Sequence, residues 1–196
     1  TLLGEPEMKT ALVTLAAIAL ALAASAPALA QGKLEPIKTV TIGKNREFRI
    51  NGKPFLPIMI WLQGERQIPK GKAAGINTFC AKSSKLSDRK YLDILGRNNL
   101  YGILGYSDES SQVKSHPYLL GWIHGDEPDM PRKDPNNPKG PRHPKRSVEV
   151  VTANYKRIKA ADAKRPVFVT FTACFMDEDK RYDAATKAKL YPAYVR

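Results

Sequence analysis

Short apolar runs alternate with amphipathic helical segments along most of this chain. That alternation restricts it to parallel strands joined by helical crossovers, an α/β architecture. The runs cover residues 55–61, 76–81, 100–106, 119–125 and 166–172. They are nearly continuous in apolar residues, as strands buried on both faces are. Between them the pattern predicts a short helix over 67–74 and a helix from the N-cap Ser87 to about Asn98, with Tyr91, Leu92 and Leu95 on one face. A third runs from the N-cap Ser147 to about Lys164, with Val148, Val151, Tyr155 and Ile158 at helical spacing, and residues 186–190 open a fourth. Ahead of these units, 39–42 and 47–50 read as a β-hairpin, closed by Asn51-Gly52, a pair that tolerates positive φ. Five strands fit either a barrel or an open doubly wound sheet. The first is followed by Trp61-Leu62-Gln63-Gly64-Glu65, which is not the glycine pattern of a dinucleotide fold.

The N-terminal segment reads differently. Met8-Lys9 opens a charged start, 11–24 is almost unbroken Ala, Leu, Val and Ile, and Ala28-Leu29-Ala30 follows Pro27 as a small-residue cleavage site. Residues 8–30 are therefore expected to be a secretory signal peptide, with 1–7 a non-native upstream extension. The apolar run is short for a membrane span, and Gln31 rather than Cys follows the cleavage site. The expectation is export, periplasmic or extracellular, with no membrane attachment after cleavage. The remainder divides into a hairpin lead-in, 31–54, and a main domain, 55–196, which the sequence leads us to expect is cut short after Tyr194-Val195-Arg196. Cut that way, it is expected to aggregate and to be inactive alone, because an open sheet edge and an uncovered apolar face remain.

Lys and Arg number 32 against 19 Asp and Glu, a formal net charge of +13. Much of the excess lies in 131–147: Arg132, Lys133, Lys139, Arg142, Lys145 and Arg146. Zinc-finger spacing, helix-turn-helix cues and basic-aromatic interleaving are all missing, so no nucleic-acid partner is expected. The segment reads as a solvated basic loop, with a polyanion site as the alternative. Cys80 and Cys174 have no CxxC spacing and read as unpaired. Nothing in the pattern fixes an oligomeric state.

In a parallel barrel all strand ends face one mouth. There the sequence gathers Trp61, Gln63, Asn77, Cys80, Tyr106, Ser107, His124, Asp126, Glu127, Thr172 and Cys174. Aromatic faces cover the apolar side of a sugar ring, and amides and carboxylates take its hydroxyls, so a carbohydrate substrate is expected. Glu127 is the leading candidate. In a partly apolar pocket, with Trp122 and Trp61 as walls, a carboxylic acid stays protonated and donates to a leaving oxygen. It could instead cap the next turn or pair with Arg132. Asp126 could hold a substrate hydroxyl, orient Glu127, or bind loop N–H groups. His124, two residues back on the strand, is expected on the face of Asp126. His124, Asp126, Glu127 and Asp129 come from one strand end without a second histidine at ligand spacing, so no metal or other cofactor is expected.

Several pieces together resemble clan A (β/α)8-barrel glycoside hydrolases. Phe48-Arg49-Ile50-Asn51-Gly52-Lys53-Pro54-Phe55 is similar to the hairpin that leads into their first strand, and Gly75-Ile76-Asn77-Thr78 to the step into the second. His116-Pro117-Tyr118-Leu119-Leu120-Gly121-Trp122 through Asp126-Glu127-Pro128 resembles their fourth-strand signature, and Ala161-Asp162-Ala163-Lys164-Arg165-Pro166-Val167 the approach to their fifth. The resemblance implies the first five βα units of a barrel that cleaves glycosidic bonds with retention, with Glu127 as general acid/base. The family carries Asn before this Glu where this chain has Asp126, which puts the usual 2-hydroxyl contact in doubt. The resemblance also implies a nucleophile from a seventh strand, beyond Arg196. The competing reading is a carbohydrate-binding protein on a degenerate barrel.

Overall fold

The computed structural model describes residues 32–176, 178 and 180–194. The signal-like segment 8–30 and the extension 1–7 lie outside the described residues. The chain divides into two units, Thr1–Leu34 and Glu35–Arg196, and every element below belongs to the second. No helix among the described residues is long and apolar enough to cross a membrane.

Three short strands come first: β1 (Val40–Ile42), β2 (Phe48–Ile50) and β3 (Lys53–Phe55), an antiparallel sheet in that order. Asn51 (φ 52°) and Gly52 (φ 80°) make the β2–β3 turn, where two successive positive φ values match the twist of a tight hairpin. This corrects the expected first strand, 55–61. Phe55 pairs with Phe48 in the antiparallel sheet, and the first parallel strand, β4, is Met59–Gln63. Pro54 sits on β3, an edge strand, where its missing N–H is tolerated.

A parallel sheet follows, built from β4, β5 (Thr78–Lys82), β6 (Tyr101–Gly105), β7 (Leu119–Ile123) and, numbered after a two-stranded ribbon of β8 (Pro131–Arg132) and β9 (His143–Pro144), β10 (Val167–Phe168). Its order is β10-β7-β6-β5-β4, so each strand pairs with its predecessor in the chain. A doubly wound sheet reverses direction part-way; this one does not. Right-handed crossovers wound in one direction put every helix on one face. The core agrees: Ile68 of α1 (Ile68–Ala73), Tyr91, Leu92 and Leu95 of α2 (Asp88–Arg97) and Ile158 of α3 (Val148–Ala161) form one cluster with Phe79, Leu104, Leu119 and Trp122. Ser87 and Ser147 cap α2 and α3, accepting from Lys90 N and Val150 N. α3 stops at Ala161, short of the expected 164, because Asp162 turns inward to accept from Trp122 Nε1 at 2.9 Å and Arg165 Nη1 at 3.1 Å. Burial alone would raise the Asp162 pKa, but these donors hold it below the ordinary value. Tyr155, expected on the buried face of α3, is exposed.

The other face carries the antiparallel sheet at its lower end. Phe55 meets Tyr101 edge-on at 5.3 Å, Phe48 stacks on Phe168 at 5.5 Å, and Tyr101 Oη donates to Glu35 O at 2.6 Å. Ile103 and Ile123 are buried on this face, whereas Met59 and Trp61 on the edge strand β4 are 47% and 36% exposed. β10 is much shorter than the expected 166–172, because Thr170 and Thr172 turn to side-chain partners described below. α4 (Ala184–Tyr194) closes the described chain. Gly121 is required where β7 meets β10: a Cβ there would lie 2.7 Å from Phe168 and 2.8 Å from the Pro166 carbonyl oxygen. Gly121→Ala is expected to cost about 1–3 kcal/mol, read as a lower urea midpoint with an unchanged m-value.

Candidate functional site

The carboxyl end of β7 runs into the loop Gly125-Asp126-Glu127-Pro128-Asp129-Met130. Glu127 is held at φ 46°, a left-handed conformation that costs a non-glycine residue roughly 1–3 kcal/mol and persists only where its surroundings fix it. Here they do. Met130 N donates to Glu127 O at 3.2 Å, Arg146 N to Pro128 O and Lys145 N to Met130 O, both at 2.9 Å. Lys145 Nζ donates to Asp126 O at 3.0 Å.

The three acids of the loop have separate fates. Asp129 is fully buried. Its carboxylate accepts from Thr172 N (2.9 Å), Thr172 Oγ1 (2.7 Å) and Tyr191 Oη (2.8 Å), and its carbonyl accepts from Tyr182 Oη at 2.8 Å. Burial, then contact with Asp129, pushes the Tyr191 phenol far up, and the same surroundings raise Tyr182. Asp126 is exposed, with Oδ1 accepting from Thr170 Oγ1 at 2.9 Å. The half-buried Glu127 is left: among the described residues no hydrogen bond or ion pair engages its carboxylate. The alternatives of turn cap and Arg132 partner therefore find no contact.

Other expected members of the mouth lie elsewhere. Asn77 precedes β5, so it stands at the amino end of the sheet, about 16 Å from the rim at 3.3 Å per residue. There it is a brace, Oδ1 accepting from Ile58 N (2.8 Å) and Thr78 Oγ1 (2.9 Å), Nδ2 donating to Leu56 O (2.8 Å). Tyr106 lies on the helix side, edge-on to Trp122 at 5.2 Å with the Arg157 guanidinium 5.0 Å over its ring. Trp122 is buried on that side too and cannot wall Glu127. Trp61 and Gln63 are at the rim on β4, three strands from β7, or about 14 Å along the sheet. Leu62 and Ala81, at the ends of β4 and β5, share the left-handed conformation of Glu127. A cavity of about 600 Å³ beside Ala81 is lined by Lys82, Ser84, Asp88, Ser107 and Glu109 among others.

His124 also departs from expectation. It alternates with Ile123 and so shares the face of Trp122, beneath α3, while the chain turns at Gly125 and carries Asp126 away. Gly125 N donates to its Nδ1 at 3.2 Å, and its Nε2 lies 3.1 Å from Val151 O and 3.0 Å from Asn154 Nδ2. Burial lowers its pKa, and Arg146 and Arg157 lower it further, against the Val151 contact. The unfolded chain therefore takes up this proton first. The His124 contribution to stability is complete above about pH 6.5 and is lost as pH falls from there toward the folded value. His124→Gln should flatten urea stability against pH across that window, and an unchanged slope would contradict the assignment.

Both cysteines are free and buried, and burial pushes the Cys80 thiol up to about 11. Among the described residues no group of three or more His, Cys, Asp or Glu could hold a metal ion. The basic segment 131–147 is pinned at its base as a two-stranded ribbon, with Pro131 paired to Pro144 and Arg132 to His143, and most residues between them are exposed, as expected of a solvated loop. Sequence reasoning weighed Asp129 only as a metal ligand and missed Thr170. Their one sequence signal is closeness to the strand ends.

No protein-family model matches this sequence, and comparison with curated protein sequences finds no relative. Among solved structures, the chain is similar to a β-glucuronidase of Faecalibacterium prausnitzii, with a TM-score of 0.48 and 14% identity over 76% of this chain. The chain spans 29% of that neighbour's length.

Proposed function

We propose that this chain is the first part of an exported, retaining glycoside hydrolase domain with a (β/α)8 barrel, in which Glu127 is the general acid/base. One observation carries the reading: Glu127 is fixed in a left-handed conformation after the fourth strand of the parallel sheet, and among the described residues its carboxylate is the one in its loop without a protein partner. The one-way strand order supports the barrel, since a sheet that never reverses can close on itself. The strand's carboxyl end is where such barrels do their chemistry. Glu127 protonates the glycosidic oxygen as the bond breaks, then takes a proton from the water that releases the sugar. Asp126, steadied by Thr170, lies beside it to meet a substrate hydroxyl, and Trp61 and Gln63 offer a ring face and an amide across the mouth.

Retention needs a second carboxylate about 5–5.5 Å away as nucleophile. Among the acids at the other strand ends, Glu65 accepts from Ser84, Asp88 pairs with Lys82 and Asp108 with Arg157, while Glu109 lies past the end of β6 in the cavity beside β5, two strands from Glu127. In this reading the nucleophile comes from a strand outside this sequence, and the chain alone does not turn over.

The test uses the natural polypeptide that contains this chain. It is offered a panel of polysaccharides and aryl glycosides, and proton NMR follows the anomer first released. The expected result is hydrolysis with the anomer retained. An inverted product would remove the retaining mechanism, and binding without hydrolysis of any glycoside would leave the carbohydrate-binding alternative.

A further inference from the structure

We propose that the β8–β9 ribbon is a binding arm for an anionic polysaccharide, so that the substrate class of the Glu127 site is a carboxylated or sulfated glycan. This rests on the glycosidase reading above for its chemistry, but not for its binding.

Three observations meet here. The first is charge. Segment 131–147 carries six Lys and Arg against one acid, Asp134. Asp134 is occupied locally, accepting from Asn136 N at 2.8 Å. Arg132, Lys133, Lys139 and Arg142 are all exposed, and none forms an ion pair among the described residues. Unneutralised cations gathered on one projection focus a positive field, and their guanidinium and ammonium groups suit carboxylate and sulfate oxygens.

The second is where the ribbon is rooted. Its base is the Glu127 loop: Arg146 N and Lys145 N hold the Pro128 and Met130 carbonyls, and Lys145 Nζ holds the Asp126 carbonyl. The Arg146 guanidinium lies against Gly125, where a Cβ would come within 1.7 Å of Nη1. A polymer with one unit at Glu127 would therefore continue along the cations.

The third is stiffness and composition. Pro131, Pro135, Pro138, Pro141 and Pro144 fix φ along the arm, and turns at Asp134–Asn137 and Asn137–Gly140 shape its tip. A pre-ordered arm loses little entropy on binding. It contains no Phe, Tyr or Trp on which a nucleobase could stack, which favours a glycan over a single-stranded nucleic acid.

The experiment measures equilibrium binding of the natural polypeptide, wild type and with Arg132, Lys133, Lys139 and Arg142 all changed to Gln. The probes are polygalacturonate, heparin, neutral dextran and DNA. Polygalacturonate separates a carboxylated ligand from the sulfated one represented by heparin. At least one should bind, weakening as salt rises, while dextran does not. The fourfold variant should lose about ten-fold or more in affinity, with its thermal midpoint unchanged because all four side chains are exposed. Undiminished glycan binding by the fourfold variant, or DNA bound as tightly as either glycan through the same four residues, overturns the proposal. A wild type that binds through the arm yet hydrolyses no glycoside keeps the arm and removes the hydrolase reading.

Discussion

Glu127→Gln in the natural polypeptide is expected to lower kcat/KM on unactivated glycosides by about 10²–10⁴-fold, the range for losing a positioned general acid/base. The amide keeps the shape of the side chain but cannot deliver the proton that an alkoxide leaving group needs. Glycosides with a nitrophenol leaving group need little protonation, so the first step should suffer far less there. The second step, in which water must be deprotonated, should then limit turnover and show a burst of nitrophenol. Azide, which needs no deprotonation, should restore turnover to Glu127→Ala. Asp126→Ala should fall less, and without azide rescue, because the role proposed for Asp126 is to hold a substrate hydroxyl and not to move a proton. A Glu127→Gln enzyme within a few-fold of wild type on both substrate types would remove Glu127 from the chemistry.

The second large effect belongs to Asp129. Asp129→Ala strands the Thr172 N–H, the Thr172 hydroxyl and the Tyr191 hydroxyl in a buried site. Losing charge-assisted hydrogen bonds and leaving their donors unpaired should cost about 3–5 kcal/mol, or on the order of 10 °C in Tm for a domain of this size. Tyr191→Phe should cost less, and the pair should be non-additive, because both remove the same contact. Activity should fall as well, since Asp129 anchors the loop that strains Glu127. A melting point for Asp129→Ala within about 1 °C of wild type would show that this network does not hold the loop.

Much of the frame was legible in the sequence for reasons now visible. Ser87, Tyr91, Leu92 and Leu95 stand where a capped amphipathic helix puts them, and Asn51-Gly52 makes the expected turn. The errors share a cause. Strands buried on both faces carry no polar alternation, so the sequence offered no reference for which side His124, Trp122 and Tyr106 would take. Asn77 stands at the opposite end of the sheet from the one expected, because a strand's start and finish look alike when only its apolar stretch is read. β3 was missed because Pro54 argues against a strand anywhere but at an edge. Asp129 is the hardest case. Its partners Thr172 and Tyr191 lie far along the chain, and no local pattern joins them. Nor could the spacing show that Glu127 would keep an unpartnered carboxylate while both neighbouring acids were taken.

The sequential strand order also shapes how the molecule assembles. Each parallel strand docks on the one made just before it, so the sheet can grow as the polypeptide leaves the ribosome, without waiting for a distant piece. The antiparallel sheet behaves oppositely. Phe55 can meet Tyr101 once β6 is made, but Phe48 rests on Phe168, a residue synthesised long afterwards, so the seat of these strands is completed late. Until then part of the apolar face of β1–β3 lies open, and the interval is one in which a nascent chain is prone to associate.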